Sequence, residues 1–209
     1  RCALITTAGF RDVLEIGRLR IPELFNPFYD KRSTLIPRDH IIEVEERINH
    51  RGEVITELSD FAIEEAVNKV ITLNAESVAI CLLNSYANPK HEYAIFASIN
   101  NHKPDLDISV SADILPRIGE YERTSTTTIN AYVRPTVRRY VNSLSRLLRK
   151  ENIGGPLLIM QSGGGLMSAA RAVREPVNII ESGPAAGVLA AAHFIERMGL
   201  KNAVTFDMG

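Results

Sequence analysis

Val78-Ala79-Ile80-Cys81-Leu82-Leu83 is an unbroken apolar run of strand length. A strand with water on one face alternates apolar and polar residues, whereas this run implies cover on both faces, as in the centre of a parallel sheet. Its flanks support that reading. Upstream, Ile63, Val67, Val70 and Ile71 recur at helical spacing behind Ser59 or Asp60, either of which can cap the first turn. Downstream, Asn88-Pro89 offers a cap and a first-turn proline for a helix lined by Tyr93, Phe96 and Ile99, and Leu106 to Ser111 reads as the next strand. Strand alternating with helix predicts an α/β architecture. Cys81, inside the run, reads as a core thiol.

Working outward, Ala3 to Thr6 reads as a buried strand, broken by Gly9 and followed by helical spacing over Phe10 to Ile16. Pro22, Asn26-Pro27 and Pro37 mark an irregular stretch. Ile41 to Arg47 alternates apolar and charged residues, Asn49-His50-Arg51-Gly52 supplies a turn, and Glu53-Val54-Ile55 follows, which predicts a β-hairpin. A long helical zone covers Thr124 to Lys150, with apolar residues at Ile129, Val133, Val137, Tyr140, Leu144 and Leu147. Pro135 predicts a kink or a fresh helix start there. Strand Leu157 to Met160, a glycine turn, a helix from Pro184 to Met198 buried through Val188, Ala191, Ile195 and Met198, and a final strand Ala203 to Phe206 complete the reading. Gly199 closes the late helix.

Bulk properties exclude several functions. The 209 residues are 45% hydrophobic, enough for a sizeable core, and the net charge of −1 gives no pull toward nucleic acid or anionic lipid. The basic face at Arg138, Arg139, Arg146, Arg149 and Lys150 is accordingly read as solvated. Cys2 and Cys81 form no metal-binding or redox spacing with each other or with the five histidines. No apolar stretch reaches membrane-spanning length and no signal peptide opens the chain, so the cytoplasm is the default expectation. Arg1-Cys2-Ala3 begins inside one apolar run and Asp207-Met208-Gly209 ends just after another, so the chain is expected to be an internal segment of a longer protein, truncated at both ends.

Three segments can carry chemistry. Gln161-Ser162-Gly163-Gly164-Gly165 follows a strand, and adjacent glycines can turn backbone N–H groups inward to hold an anion; taken alone, it reads as a tight turn. Ser182-Gly183-Pro184-Ala185-Ala186-Gly187 opens a helix, with Ser182 as its cap and small residues that permit close approach of a ligand. Asp207-Met208-Gly209 places a carboxylate at a strand end, where it can hold Mg²⁺ through water.

In combination these segments resemble the actin-like ATPases and, within them, the hydantoinase A/5-oxoprolinase family. The resemblance rests on Thr6-Thr7-Ala8-Gly9-Phe10-Arg11-Asp12-Val13-Leu14-Glu15-Ile16-Gly17-Arg18, on Glu120 to Thr127 with Asn130-Ala131-Tyr132-Val133, on Ile159 to Ser168, on Ser182 to Gly187 and on Phe206 to Gly209, in order. Gly163 stands where the family usually has Asn, and Glu181 where it usually has an apolar residue. The resemblance implies a ribonuclease-H-like (actin-like ATPase) lobe over residues 1–200, a mixed sheet with flanking helices and an inserted hairpin near 41–55. Residues 201–209 would be a stub of the second lobe's first strand.

The implied activity is ATP-dependent opening of a cyclic amide, a hydantoin or 5-oxoproline, with ATP and Mg²⁺ used by the parent protein and a second hydantoinase-type subunit as partner. Gly163, Gly164, Gly165, Ser182, Gly183 and Gly187 become nucleotide-site residues, Asp207 the metal ligand, and Arg11, Asp12 and Arg123 substrate-region residues. The segment by itself is expected to bind no nucleotide, to be inactive, and to self-associate through unpaired sheet edges. A subunit of an ATP-dependent ketone carboxylase, or a non-catalytic nucleotide-binding module, are the alternative readings.

Overall fold

A computed structural model describes residues 1–18, 23, 25–29 and 33–208; Pro22 and Gly209 lie outside the described residues. The chain divides into two compact units, Arg1–Pro135 and Thr136–Gly209.

The first unit opens with β1 (Cys2–Thr7) and a single helical turn, α1 (Val13–Ile16), shorter than the expected Phe10–Ile16 helix. A 3₁₀ turn at Arg38–His40 leads into β2 (Ile41–Val44). Then come β3 (Arg47–Ile48), β4 (Val54–Thr56), α2 (Asp60–Thr72), β5 (Ser77–Cys81), α3 (Lys90–His102), β6 (Asp107–Val110), the short α4 (Ser111–Ile114) and α5 (Glu120–Lys150). Four strands form one sheet in the order β2-β1-β5-β6, every neighbouring pair parallel. The expected mixture of strand directions occurs between sheets, because the antiparallel pairs are separate two-stranded ribbons.

Side chains alternate across the central strands, as the pleat requires. Ala3, Ile5, Val78, Ile80 and Leu82 face a core completed by Ala66, Val67 and Val70 of α2 and Ile95 and Ile99 of α3. Cys2, Leu4, Ala79 and Cys81 face the opposite way, against Ile36 and Ala131 of α5. The fully apolar 78–83 run is therefore covered on both faces.

The hairpin expectation is corrected in part. Ile41–Val44 is not a hairpin arm but a parallel neighbour of β1, with Leu4 opposite Ile41 and Thr7 opposite Val44. Ile42 and Val44 join one core and Ile41 the other, so this edge strand is buried on both sides. The hairpin is the smaller β3–β4 pair. Its turn is set by Asn49, whose Oδ1 accepts from the N–H of Arg51 (2.9 Å) and Glu53 (3.0 Å), and by Gly52 at φ +82°.

Ser59 caps α2 as expected, its Oγ accepting from Ala62 N–H at 3.2 Å, although Ile71 is 39% exposed rather than buried. In α3 the buried stripe is His91, Glu92, Ile95 and Ile99, while Tyr93 and Phe96 face outward. The physical reason is Glu92: its carboxylate accepts from the N–H of Leu82 (2.8 Å) and Ala112 (3.0 Å), which turns that stripe toward the sheet. Helix α5 runs through Pro135 with no fresh start.

The second unit contains the remainder of α5, β7 (Leu158–Met160), β8 (Leu166–Ser168), α6 (Ala169–Arg174), a 3₁₀ turn at Pro176–Ile179 and α7 (Ser182–Arg197). Gly199, at φ +65°, follows α7 as expected. Two expectations fail here. No residue of α7 is buried; Val188 is 53% exposed, and Met198, just past the helix end, 71%. Ala203–Phe206 forms no strand, because no partner among the described residues supplies the ladder a strand needs. Among the described residues, no helix is long and apolar enough to cross a membrane.

Candidate functional site

The carboxyl ends of β1, β5 and β6 meet a buried polar network, at the edge where open α/β sheets commonly present ligands. Glu92 is its centre. Besides the two backbone N–H groups, its Oε1 accepts from Ser85 Oγ (2.8 Å) and Ser111 Oγ (2.6 Å). Burial pushes the Glu92 carboxyl above the usual range, and the hydrogen bonds from Ser111, Leu82, Ser85 and Ala112 pull the other way.

Arg123 lies 3.7 Å from Glu92, both fully buried. Its Nη2 donates to Leu82 O (2.9 Å), Ser111 Oγ (2.6 Å) and Ser85 Oγ, and its Nη1 to Glu120 (3.1 Å). The guanidinium also sits 5.6 Å from the centre of the Tyr86 ring. Arg123 thus fastens α5 to the ends of β5 and β6.

A second chain of polar contacts runs beside it. Thr7 Oγ1 accepts from Leu83 N–H at 2.9 Å and donates to Glu46. Glu46 meets His91 Nδ1 at 2.8 Å, and His91 Nε2 lies 3.4 Å from Glu57 at the surface. Glu57 is paired with Lys90 at 3.1 Å, which holds its carboxyl below the usual range. This chain ties the β3–β4 insert to α3.

The expected substrate-region residues do not come together in one place. Arg11 donates from Nε (3.2 Å) and Nη2 (2.6 Å) to Arg38 O, and Asp12 pairs with the Arg38 side chain at 2.8 Å. Those contacts lock the loop after β1 to the turn before β2. Arg123 has the separate, interior set of partners just described. Cys81 and Cys2 are buried thiols; burial pushes Cys81 up to about 11, which removes it as a nucleophile near neutral pH.

A cleft of about 780 Å³ opens on the other side of α5's first half, with Leu14, Arg18, Tyr121, Ser125, Thr128 and Ile129 among its walls. Thr128 is 1% exposed and its hydroxyl has no hydrogen-bond partner.

In the second unit the two glycine-bearing segments, distant in sequence, do meet. Ser162 N–H donates to Asn178 O (2.7 Å), and Ser162 Oγ accepts from Glu181 N–H (3.1 Å), one residue before α7 begins. Gly164 packs toward Leu189 of α7, where an added Cβ would stand 3.5 Å from that side chain. Gly164 and Gly165 occupy positive-φ conformations, at +86° and +79°, as a tight turn requires; Gly163 does not. The turn spends the N–H groups of Gln161 and Gly164 on its own closure. Ser182 is the first helical residue rather than the cap, and no side chain caps the helix start. Space around Gly163, Gly183 and Gly187 is open. Asp207 is exposed, and among the described residues no group of three or more His, Cys, Asp or Glu side chains gathers to hold a metal.

Sequence reasoning missed Glu46, Ser85, His91, Glu92, Ser111 and Thr128. The usable signal was His91-Glu92 directly after the Asn88-Pro89 helix start, two ionisable residues at positions one turn from Ile95.

A parallel sheet with helices on both faces and a polar clamp at its carboxyl edge define the first unit as an α/β domain. The chain belongs to the hydantoinase/oxoprolinase family: residues 1–103 match the model of the family's N-terminal region, and residues 123–209 the hydantoinase/oxoprolinase model itself. It is 41% identical, over its whole length, to a protein of unassigned function from Methanocaldococcus jannaschii, covering 31% of it. It is 30% identical to the acetophenone carboxylase gamma subunit of Aromatoleum aromaticum, covering 30% of that protein. The crystal structure of ATP-dependent caprolactamase from Pseudomonas jessenii superposes on all of the chain with a TM-score of 0.87 at 32% identity. The chain spans about 30% of the length of that structure too.

Proposed function

We propose that this chain serves as part of a longer ATP-dependent enzyme that opens a cyclic amide, a hydantoin or 5-oxoproline being the model substrates. The observation that carries the reading is the joining of the Gly163–Gly165 turn to the start of α7 through Ser162, in a chain whose family and structural likeness run end to end. In the proposed reaction the amide oxygen takes the γ-phosphoryl group as the bond to ADP breaks. The ring carbon, now electrophilic, accepts water; the ring C–N bond then breaks, the nitrogen takes a proton and phosphate leaves.

Gly163, Gly164, Gly165, Ser182, Gly183 and Gly187 would wall the nucleotide site, where small residues let phosphate approach backbone N–H groups. Because the turn uses several of its own N–H groups, the uncapped helix start contributes much of the remaining donor capacity. Asp207 would hold Mg²⁺ through water. A single carboxylate suits an ion that keeps most of its waters and takes phosphate oxygens, and the ion would offset developing charge on the transferring group. Arg11, Asp12 and Arg123 would act by holding the loops at the sheet edge. A second subunit is the expected partner.

The likeness to acetophenone carboxylase supports a second reading, in which a ketone is phosphorylated before carboxylation. The test is ATP hydrolysis by the full-length protein carrying this chain, with its partner subunit. Stimulation by hydantoin or 5-oxoproline is the expected result. Stimulation only by bicarbonate plus acetophenone selects the second reading, and none by either overturns both. Calorimetric titration of the 209-residue chain alone with MgATP is expected to show no binding; tight binding would mean the nucleotide site is complete within it.

A further inference from the structure

We propose that the cleft beside α5, walled by Leu14, Arg18, Tyr121, Ser125, Thr128 and Ile129, binds an uncharged cyclic amide and discriminates against one that carries a carboxylate. This rests on the reading above and narrows it to its uncharged substrates, a hydantoin rather than 5-oxoproline.

The cleft is built within one unit, from the segment around α1 and from the first half of α5. Its volume, about 780 Å³, falls in the ordinary range for small-molecule sites. Leu14 and Ile129 supply apolar wall, and the Tyr121 ring, 5.9 Å from the Arg18 guanidinium, supplies a flat one. A lactam or hydantoin ring has the matching shape: flat at the amide, apolar at its methylenes.

The second observation is Thr128. It borders the cleft, is almost wholly buried, and leaves its hydroxyl without a hydrogen-bond partner, a condition that native interiors rarely tolerate. A threonine in a helix divides between two χ1 wells, so rotation can turn the hydroxyl toward the cleft. An amide carbonyl there would accept from Thr128, and the ring N–H would find the Ser125 hydroxyl one turn away. A hydroxyl both donates and accepts, so a pair of them suits an amide, which does the same.

Charge decides between neutral and anionic ligands. Arg18 is already paired with Glu122, its Nη2 2.8 Å from Oε1; the Glu122 carboxyl is held below the usual range by its own backbone N–H first and by Arg18 second. Glu15 also lines the cleft. A ligand carboxylate would therefore compete with Glu122 for Arg18 and meet Glu15, whereas a neutral lactam displaces no ion pair.

The test is an amide-detected NMR titration of the 209-residue chain with ε-caprolactam, 5-oxoproline and AMP in parallel. Caprolactam is expected to shift the amides of Tyr121, Ser125 and Thr128, and 5-oxoproline to bind about two- to fivefold more weakly, the cost of one disrupted, partly exposed ion pair. Thr128→Val, which keeps the shape and removes the hydroxyl, is expected to weaken caprolactam roughly fivefold, the loss of one hydrogen bond. Should that variant fold poorly, Ser125→Ala at the half-buried rim reads the same loss. No caprolactam shifts at these residues, equal or tighter binding of 5-oxoproline, or AMP shifting them in its place would each overturn the proposal. Amide-stimulated ATP hydrolysis by the full-length protein with a silent cleft sinks this site alone. A lactam-binding cleft in an enzyme that no cyclic amide stimulates sinks the function instead.

Discussion

The first half of α5 and the whole of α7 invert the usual relation between polarity and burial. From Glu120 to Pro135, α5 buries Arg123, Thr124, Thr127, Thr128 and Asn130. Helix α7 holds Val188, Leu189 and Phe194 at 53%, 47% and 63% exposure and buries nothing. What separates them is the neighbour each meets. Strand ends offer α5 hydroxyls, carbonyls and a carboxylate: Asn130 Nδ2 donates to Ser109 Oγ at 2.9 Å, Thr124 Oγ1 lies 3.3 Å from Cys81 Sγ, and Arg123 reaches Leu82 O. Within its unit, helix α7 packs chiefly on β7 of the small β7–β8 ribbon. Polar residues are buried where the sheet edge needs partners, and apolar ones stay exposed where no surface covers them.

The most forceful way to break this contrast is Arg123→Ala. Removing the guanidinium leaves Glu92 buried without its cation and takes a donor from Leu82 O, Ser85 and Ser111 at once. Stripping one partner from a buried pair costs about 3–5 kcal/mol. Against a domain stability of about 5–15 kcal/mol, that loss removes a large fraction of the total, and at the low end of the range it abolishes cooperative folding of the first unit. Urea unfolding followed by circular dichroism measures it, and the double variant Arg123→Met with Glu92→Gln should recover part of the loss. A midpoint unchanged by Arg123→Ala would mean that the clamp is incidental to the fold.

The same contrast explains what the sequence revealed and what it hid. The 78–83 run gave the parallel sheet, because continuous apolarity has few other meanings at that length, and Ser59 gave a true cap. Periodicity of apolar residues located α5 and α7 as helices but promised α7 a buried side that it does not have. In α3 it chose Tyr93 and Phe96 over His91 and Glu92, since hydrophobic spacing carries no record of backbone N–H groups waiting at a strand end. Ile41–Val44 alternates like a hairpin arm, yet its pairing was decided by β1, a partner far away in the chain. The glycine segments were legible as separate turns; their meeting through Ser162 and Glu181 was not.

At the exposed end of the contrast, Phe194→Glu should change stability by no more than about 0.5 kcal/mol, the usual effect of a surface substitution. Its effect should appear in association. An uncovered apolar helix face and the edge strands β2 and β6 both favour self-association of the chain. Light scattering across a concentration series should show the wild type growing in mass and Phe194→Glu growing less. A wild type that stays monomeric throughout would show that these surfaces are inert in water.

The smallest expected effect tests whether the polar contacts of the first unit matter where they are not buried. Asp12 and Arg38 form an exposed pair, and the hydrogen bond from Arg38, followed by its charge and that of Arg11, holds the Asp12 carboxyl below its ordinary value of 3.8. A carboxyl with a lowered folded value stabilises the fold above its ordinary titration range and loses that contribution as pH falls through the lowered value. Asp12→Asn should therefore lower the thermal midpoint slightly at neutral pH, and the gap from wild type should close on acidification below about 3.9. Added salt should shrink the gap as well, because exposed pairs are screened. A gap that persists unchanged from neutral pH into acid would place the Asp12 contribution in loop packing rather than in charge. In that case the Arg11 bonds to Arg38 O would be what holds the loop after β1.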